Sequence, residues 1–247
     1  MVTKAGSIPY TSFPARFPRL RPDEVHVWGI ELDPPRPWVA RLAATLAPDE
    51  RERAGRFHNP ADRRRFVVAH GAMRQLLGGY LGRNAGAVDF SCGRHGKPFV
   101  PGEPVRFNLS RSGERALVAV SLDREVGVDV ERIRPMEDAR GIAERFFSRA
   151  ESLKLQTVLG TPAADTAFFT CWTRKEAFVK AIGEGLSHPL ATFEVTFLAG
   201  EPAELRIAPH PRGQAPRRWT LLDVDPGASY CAALVVEGGA PLLSCWI

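Results

Sequence analysis

Cysteine is scarce: Cys92, Cys171, Cys231 and Cys245 are the only four in 247 residues, and no two form a C-x-x-C pair. That spacing argues against a zinc site and a disulfide framework, and it fits a reducing compartment. No apolar run approaches the length of a membrane span. The first residues lack the basic start and apolar core of a signal peptide. The expectation is a cytoplasmic protein with no membrane partner. Short-period repeats and low-complexity tracts are absent as well.

What is present is ordinary for a soluble globular chain: 44% hydrophobic and 25% charged residues. The length allows one large domain or two small ones, either with a real core. A formal charge of +5 favours a polyanionic partner, whether nucleic acid, a phosphorylated small molecule or an acidic protein. Arginine on solvated faces would give the same excess, so charge alone does not choose.

Residues 1–24 are rich in proline and phenylalanine and read as an extended arm lying against the body. Val25–Leu32 alternates as a strand. Pro48-Asp49-Glu50 opens a short helix with acidic residues where the dipole favours them. Asn59-Pro60 caps a longer helix reaching about Leu77, with Arg63, Arg64 and Arg65 in its first turns. Strand-like runs follow at Val105–Leu109, Ala116–Leu122 and Val126–Ile133. Beyond Pro135 the pattern is helical, Ser148-Arg149-Ala150-Glu151 is a capping box, and a helix spans roughly Asp165 to Ile182 before Gly183. Strands return at Phe193–Leu198, Trp219–Val224 and Tyr230–Val236. Mixed elements in both halves predict an α/β or α+β fold divided near Asp123–Glu125, giving halves 1–124 and 125–247.

Three stretches could carry chemistry. In Gly127-Val128-Asp129-Val130-Glu131, a strand would put both carboxylates on one side and the valines toward the core. Adjacent carboxylates repel unless a cation or proton sits between them, and a hard ion such as Mg²⁺ suits oxygen ligands; a half-exposed strand would look the same. In Trp172-Thr173-Arg174-Lys175-Glu176-Ala177-Phe178-Val179-Lys180, a helix gathers Trp172, Lys175, Glu176, Val179 and Lys180 on one broad face. A surface helix with a Glu176–Lys180 pair is the plainer alternative. Phe107-Asn108-Leu109-Ser110-Arg111-Ser112-Gly113 leaves a strand through a polar turn that could offer N–H groups and a guanidinium to phosphate, or be a simple hairpin.

Taken in order, Arg65, Gly96-Lys97-Pro98, F-N-L-S, G-V-D-V-E, Arg145-Phe146-Phe147-Ser148, W-T-R-K-E-A-F-V-K, G-E-G-L and Asp225-Pro226-Gly227 resemble the Sfp-type 4′-phosphopantetheinyl transferases from Leu46 to about Val235. The resemblance implies two similar halves related by a pseudo-twofold, an active site in the cleft between them, and a monomer. It implies transfer of the phosphopantetheine arm of coenzyme A to a serine of an apo acyl or peptidyl carrier protein, as in a holo-[acyl-carrier-protein] synthase. Whether that carrier serves fatty-acid, polyketide or nonribosomal-peptide synthesis is left open.

By the same resemblance Asp129, Glu131 and Glu176 would hold Mg²⁺ against the pyrophosphate. Lys180 and Arg111 would contact those phosphates, Arg65 and Lys97 the 3′-phosphate, and Ser110 that same end. Lys175 would also face the coenzyme. Glu176, or a water beside it, could take the serine proton, with Lys180 as the second catalytic group. Trp172 would set its helix against the Asp129 strand, and the capping box explains Glu151 without a metal role. Many relatives carry His where this chain has Arg111, and a guanidinium cannot serve as a base. The rival readings are a silent coenzyme A binder and a basic nucleic-acid-binding protein.

Overall fold

The computed structural model describes residues 13–14, 16–185, 188–207 and 218–246. Most of the expected 1–24 arm and Leu186 of G-E-G-L lie outside those residues. Of the arm, Phe13 packs edge-on to Trp38, and Phe17 lies against Trp28 and Tyr80.

Each half runs strand, helices, small hairpin, two strands. The first contains β1 (Glu24–Glu31), α1 (Arg36–Ala43), α2 (Pro48–Gly55), α3 (Pro60–Leu81), the hairpin β2 (Ser91–Cys92) and β3 (Pro98–Phe99), then β4 (Val105–Ser112) and β5 (Arg115–Leu122). The second contains β6 (Val126–Arg132), α4 (Ala139–Phe146), α5 (Arg149–Gln156), α6 (Ala164–Ile182), the hairpin β7 (Phe193–Val195) and β8 (Leu205–Ile207), then β9 (Trp219–Val224) and β10 (Tyr230–Glu237). A last strand, β11 (Leu242–Trp246), pairs in parallel with β1, so the sheets are ordered β11-β1-β5-β4 and β6-β10-β9. The chain passes between them through Asp123, whose φ of 52° makes the bend. Among the described residues no helix is long and apolar enough to cross a membrane.

The sheets are held by their apolar faces. Val25, Val27, Leu117 and Ala119 of the first meet Val126, Val128, Val130, Ala232, Leu234 and Val236 of the second, all buried. Each such valine or leucine contributes about 1.5–3 kcal/mol on leaving water. The alternation read in Val126–Ile133 therefore does what it predicts, with Val128 and Val130 in the core. α3 continues past Gly78-Gly79 to an αL cap at Gly82, because Gly78 packs within reach of the backbone at Arg83 and Ala85. α1 and β11 carry too little pattern of their own to be read in advance.

The F-N-L-S-R-S segment is not a turn. β4 runs through Ser112, and its backbone pairs with β5 up to Ser112↔Arg115. Those ladder N–H groups are not offered to a ligand, which corrects the phosphate-binding turn expected there.

Candidate active site

The site begins with a missing side chain. A Cβ on Gly127 would overlap the carbonyl oxygen of Ala177 and the amide of Ala181, so glycine lets α6 lie directly on β6. That approach brings Glu176 and Lys180, one helical turn apart, over Asp129. The Lys180 ammonium lies 2.5 Å from Asp129 Oδ1 and donates to Ser110 Oγ at 2.9 Å. Ser110 is buried, donates to Asp129 Oδ1 at 2.7 Å, and accepts from the Val130 N–H at 3.3 Å. Glu131 accepts a hydrogen bond from Ser112 Oγ at 2.6 Å and has Arg134 at 3.8 Å.

Burial pushes the Glu176 carboxyl above the usual carboxylate range, and the negative charge of Asp129 pushes it further. Glu131 is raised in the same way, by burial first and by Asp129 next, against the Ser112 hydrogen bond. Two buried oxygens, Asp129 Oδ2 and Glu176 Oε1, have no hydrogen-bond partner among the described residues. Unpartnered oxygens on two carboxylates close enough to repel form an incomplete shell that a hard cation suits. Among the described residues no three His, Cys, Asp or Glu side chains close around a point as a finished metal cage. Mg²⁺ usually takes only one or two carboxylates and draws the rest of its shell from phosphate and water. The donor set fits it on those terms.

Arg111 points to the other face of β4, as alternation requires. Its guanidinium lies over the Phe57 ring at 5.9 Å, and burial first, then the charges of Arg53 and Arg65 against that of Asp62, lowers its pKa. Arg65 reaches Asp33 Oδ2 at 3.1 Å and Glu114 Oε1 at 3.6 Å, while its buried Nε has no partner among the described residues. Asp62, Asp33 and Glu114 offset part of this charge, and the three arginines make a positive cluster whose planar donors suit an anion such as phosphate. Arg53 had no signal in the sequence beyond a charged helix, because only the fold sets α2 beside the end of β4.

Ser110 thus stands in the carboxylate cluster rather than at the 3′-phosphate end, and Arg111 stands on the opposite face from Lys180, with which it was expected to share the pyrophosphate. Two further expected residues, Lys97 and Lys175, reach neither cluster. Lys97 donates to Glu125 Oε2 at 2.6 Å, Val126 O at 3.0 Å and Ala181 O at 2.8 Å. All three of its protons are used at the start of β6, whereas Arg65 sits at the hairpin end of β4, a strand's length of roughly 20 Å away. The two do not share one phosphate. Lys175 is fully buried, 2.7 Å from Glu151 Oε2 and donating to Leu190 O and Phe193 O. It is a core cation on the far side of α6 and has no path to a coenzyme. Trp172 packs against Phe146, Phe147 and Phe168 rather than the Asp129 strand. Glu151 makes its capping box, accepting from the Ser148 N–H at 2.9 Å, and stays out of the carboxylate cluster.

Comparison with known proteins gives the family. Residues 125–235 match the family model of the 4′-phosphopantetheinyl transferase superfamily, and residues 32–123 match that of the 4′-phosphopantetheinyl transferase N-terminal region. The chain is 40% identical over 220 residues to the 4′-phosphopantetheinyl transferase HetI of Nostoc sp., covering 87% of this chain and 89% of that protein. It is 32% identical over 212 residues to the 4′-phosphopantetheinyl transferase ffp of Bacillus subtilis, covering 84% and 92%. Among solved structures, the holo-[acyl-carrier-protein] synthase of Thermotoga maritima matches with a TM-score of 0.35 and 21% identity, covering 46% of this chain and 62% of that one. Two family models end to end and a relative aligned over nearly its whole length leave one assignment: the chain belongs to the 4′-phosphopantetheinyl transferase superfamily.

Proposed function

We propose that the enzyme moves the 4′-phosphopantetheine arm of coenzyme A onto a serine hydroxyl of an apo acyl or peptidyl carrier protein and releases 3′,5′-ADP. The observation that carries this is the pairing of two opposite sites on one edge strand. A carboxylate cluster with unpartnered buried oxygens lies on one face of β4, and an arginine cluster lies on the other. A diphosphate carrying a separate 3′-phosphate needs both.

Asp129, Glu131 and Glu176 would hold Mg²⁺, which when bound neutralises the pyrophosphate and stabilises charge leaving with 3′,5′-ADP. Lys180 binds the pyrophosphate from α6 and offsets the carboxylates until the coenzyme arrives. Arg111 and Arg65, with Arg53, hold the phosphate at the adenosine end. Glu176, or a water beside it, takes the proton of the attacking serine, because burial and the charge of Asp129 raise its carboxyl toward a general base. The serine oxygen forms a bond to the β-phosphorus, and the bond from that phosphorus to the bridging oxygen breaks, leaving its electron pair on 3′,5′-ADP. A single chain supplies both clusters, so we infer a monomer working in the cytoplasm.

The test is incubation of the protein with coenzyme A, Mg²⁺ and a panel of apo carrier proteins, followed by intact-mass measurement of the carriers. A gain of the phosphopantetheine mass on one or more carriers is expected, lost with chelator. Coenzyme A binding with no mass gain on fatty-acid, polyketide or peptide carriers would overturn turnover in favour of a silent binder.

A further inference from the structure

The residues of β6 whose N–H groups point away from β10 are not paired with another strand. Val128 N–H donates to Asn108 Oδ1 at 2.9 Å, Val130 N–H to Ser110 Oγ at 3.3 Å, and Arg132 N–H to Ser112 Oγ at 3.1 Å. One face of β4 thus closes the edge of β6 with side chains spaced two residues apart, matching the two-residue repeat of the strand it covers. The carboxylates stand in the same register: Ser110 donates to Asp129 and Ser112 to Glu131.

We propose that Ser112 is a positioning residue for the transfer reaction, which orients Glu131 toward the cation as Ser110 orients Asp129. The inference rests on the Mg²⁺ reading above. A hydroxyl has one hydrogen to give. Ser112 accepts from the Arg132 amide, so that hydrogen is directed to Glu131 Oε2, which fixes the carboxylate plane and leaves the other oxygen for a metal. Hydrogen bonds to ligating carboxylates of this kind govern metal affinity. The competing partner is Arg134, which lies 3.8 Å from the same Oε2. Without the hydroxyl, Glu131 turns to that guanidinium and away from Asp129. Among the described residues the Glu131 carboxylate accepts no other hydrogen bond that holds it inward.

The experiment titrates the protein with Mn²⁺ in the presence of coenzyme A and without carrier, reading free Mn²⁺ by electron paramagnetic resonance. Ser112→Ala should weaken Mn²⁺ binding about tenfold, and Ser112→Thr, which keeps the hydroxyl, should stay within about twofold of the parent. Melting temperatures should match across the three, because the exposed Arg132 amide finds water. If the alanine protein melts early, Ser112→Cys, of similar size but a weak donor, carries the same expectation of weaker binding. Parental Mn²⁺ affinity in Ser112→Ala, or in Ser112→Cys where that variant is used, overturns the proposal. Asp129→Asn separates the two levels of inference. If it loses Mn²⁺ while Ser112→Ala keeps it, only the serine role falls. If the parent itself shows no saturable Mn²⁺ binding, the metal reading falls and the serine role with it.

Discussion

A shift of 101 residues carries Glu50 onto Glu151, Arg74 onto Lys175 and the helix-ending Gly82 onto Gly183. In both halves the carboxylate caps the N-terminus of a short helix, accepting from Ala47 N–H in α2 and from Ser148 N–H in α5, and also binds a buried cation on the long helix. The scaffold is repeated. The same shift carries Trp28 onto Asp129, Ile30 onto Glu131, Gln75 onto Glu176 and Gly79 onto Lys180. Where the second half has its carboxylate cluster, the first has packing residues: Trp28 stacks on Trp246, and Gly79 leaves room for the Phe17 ring. The charged cluster of the first half is Arg53, Arg65 and Arg111, which sit outside the repeated core positions. Structural symmetry therefore says little about where chemistry lies, and the comparison can be tested position by position.

The largest effect should separate the halves outright. Asp129→Ala and Glu176→Ala should each lower transfer by roughly a thousandfold or more, as expected for lost electrostatic and metal-binding groups. Gln75→Ala, at the position matching Glu176, should stay within about twofold, the usual range for a partly exposed site away from such features. Carrier mass measured over time gives both rates. Comparable losses at Gln75 and Glu176 would end the claim that only one copy carries the chemistry.

The buried pairs should affect stability in either half and leave coenzyme binding alone. Glu151→Ala leaves the Lys175 ammonium buried and without its counter-ion, costing about 3–5 kcal/mol. The double change Glu151→Gln with Lys175→Met should recover most of that loss, because replacing an ion pair with matched neutral groups is often close to neutral. Urea unfolding gives the stabilities. An unchanged KM for coenzyme A in the folded double variant checks that Lys175 is a core residue.

Glu50 supplies an acid-dependent version of the same contact. Burial alone would raise its carboxyl, but hydrogen bonds from His70, the Ala47 amide and Arg74 bring it from 4.5 down to about 2. A folded pKa below the unfolded value stabilises fully above the unfolded one and is lost as pH falls through the folded one. The contribution, about 3 kcal/mol, is therefore present above roughly pH 4.5 and disappears toward pH 2. In Glu50→Gln the acid limb of stability against pH should flatten, as measured by urea midpoints through that window.

The smallest effect falls on the arginine cluster. Arg111→Ala should raise KM for coenzyme A by an amount worth about 1.5–3 kcal/mol, the loss of one charged hydrogen bond. Arg111→His should fall increasingly behind the parent from pH 6 to pH 8.5, since burial and Arg53 disfavour a cation there and imidazole discharges around an unperturbed pKa of about 6.5. A flat ratio of the two kcat/KM values across that range would remove the phosphate contact from Arg111.

Much of this was legible before any coordinates. The apolar alternation of β6, the Ser148–Glu151 capping box and the Gly183 helix end follow from local chemistry, and each is found where the pattern puts it. Two-residue spacing put Asp129 and Glu131 on one side, but a half-exposed strand would look the same, and only the family resemblance named them with Glu176 as a set. Lys97 and Lys175 were misplaced for one reason: a buried lysine and a ligand-binding lysine look alike until the acceptors are known. Those acceptors are distant in sequence, backbone carbonyls at Ala181 and Phe193 and a glutamate that the capping box had already explained. The two similar halves followed from the family resemblance alone, because the repeat preserves helix caps and ion pairs, not sequence. Ser112 was hidden by reading its strand as a turn.

The parallel pairing of β1 with β11 also bears on how the molecule assembles. Glu24 and Leu242 lie almost the whole chain apart, yet they are register partners. During synthesis the first half emerges with one edge of its sheet uncovered, and the strand that covers it is made only after the whole second half through β10. Contacts of such sequence separation close slowly, and an open edge invites pairing with other chains in the meantime. A fragment ending at the Asp123 bend would keep that edge exposed permanently, so it should aggregate more readily than the full chain. The two halves look like separable units in the repeat, but the ribosome must finish the second before the first can close.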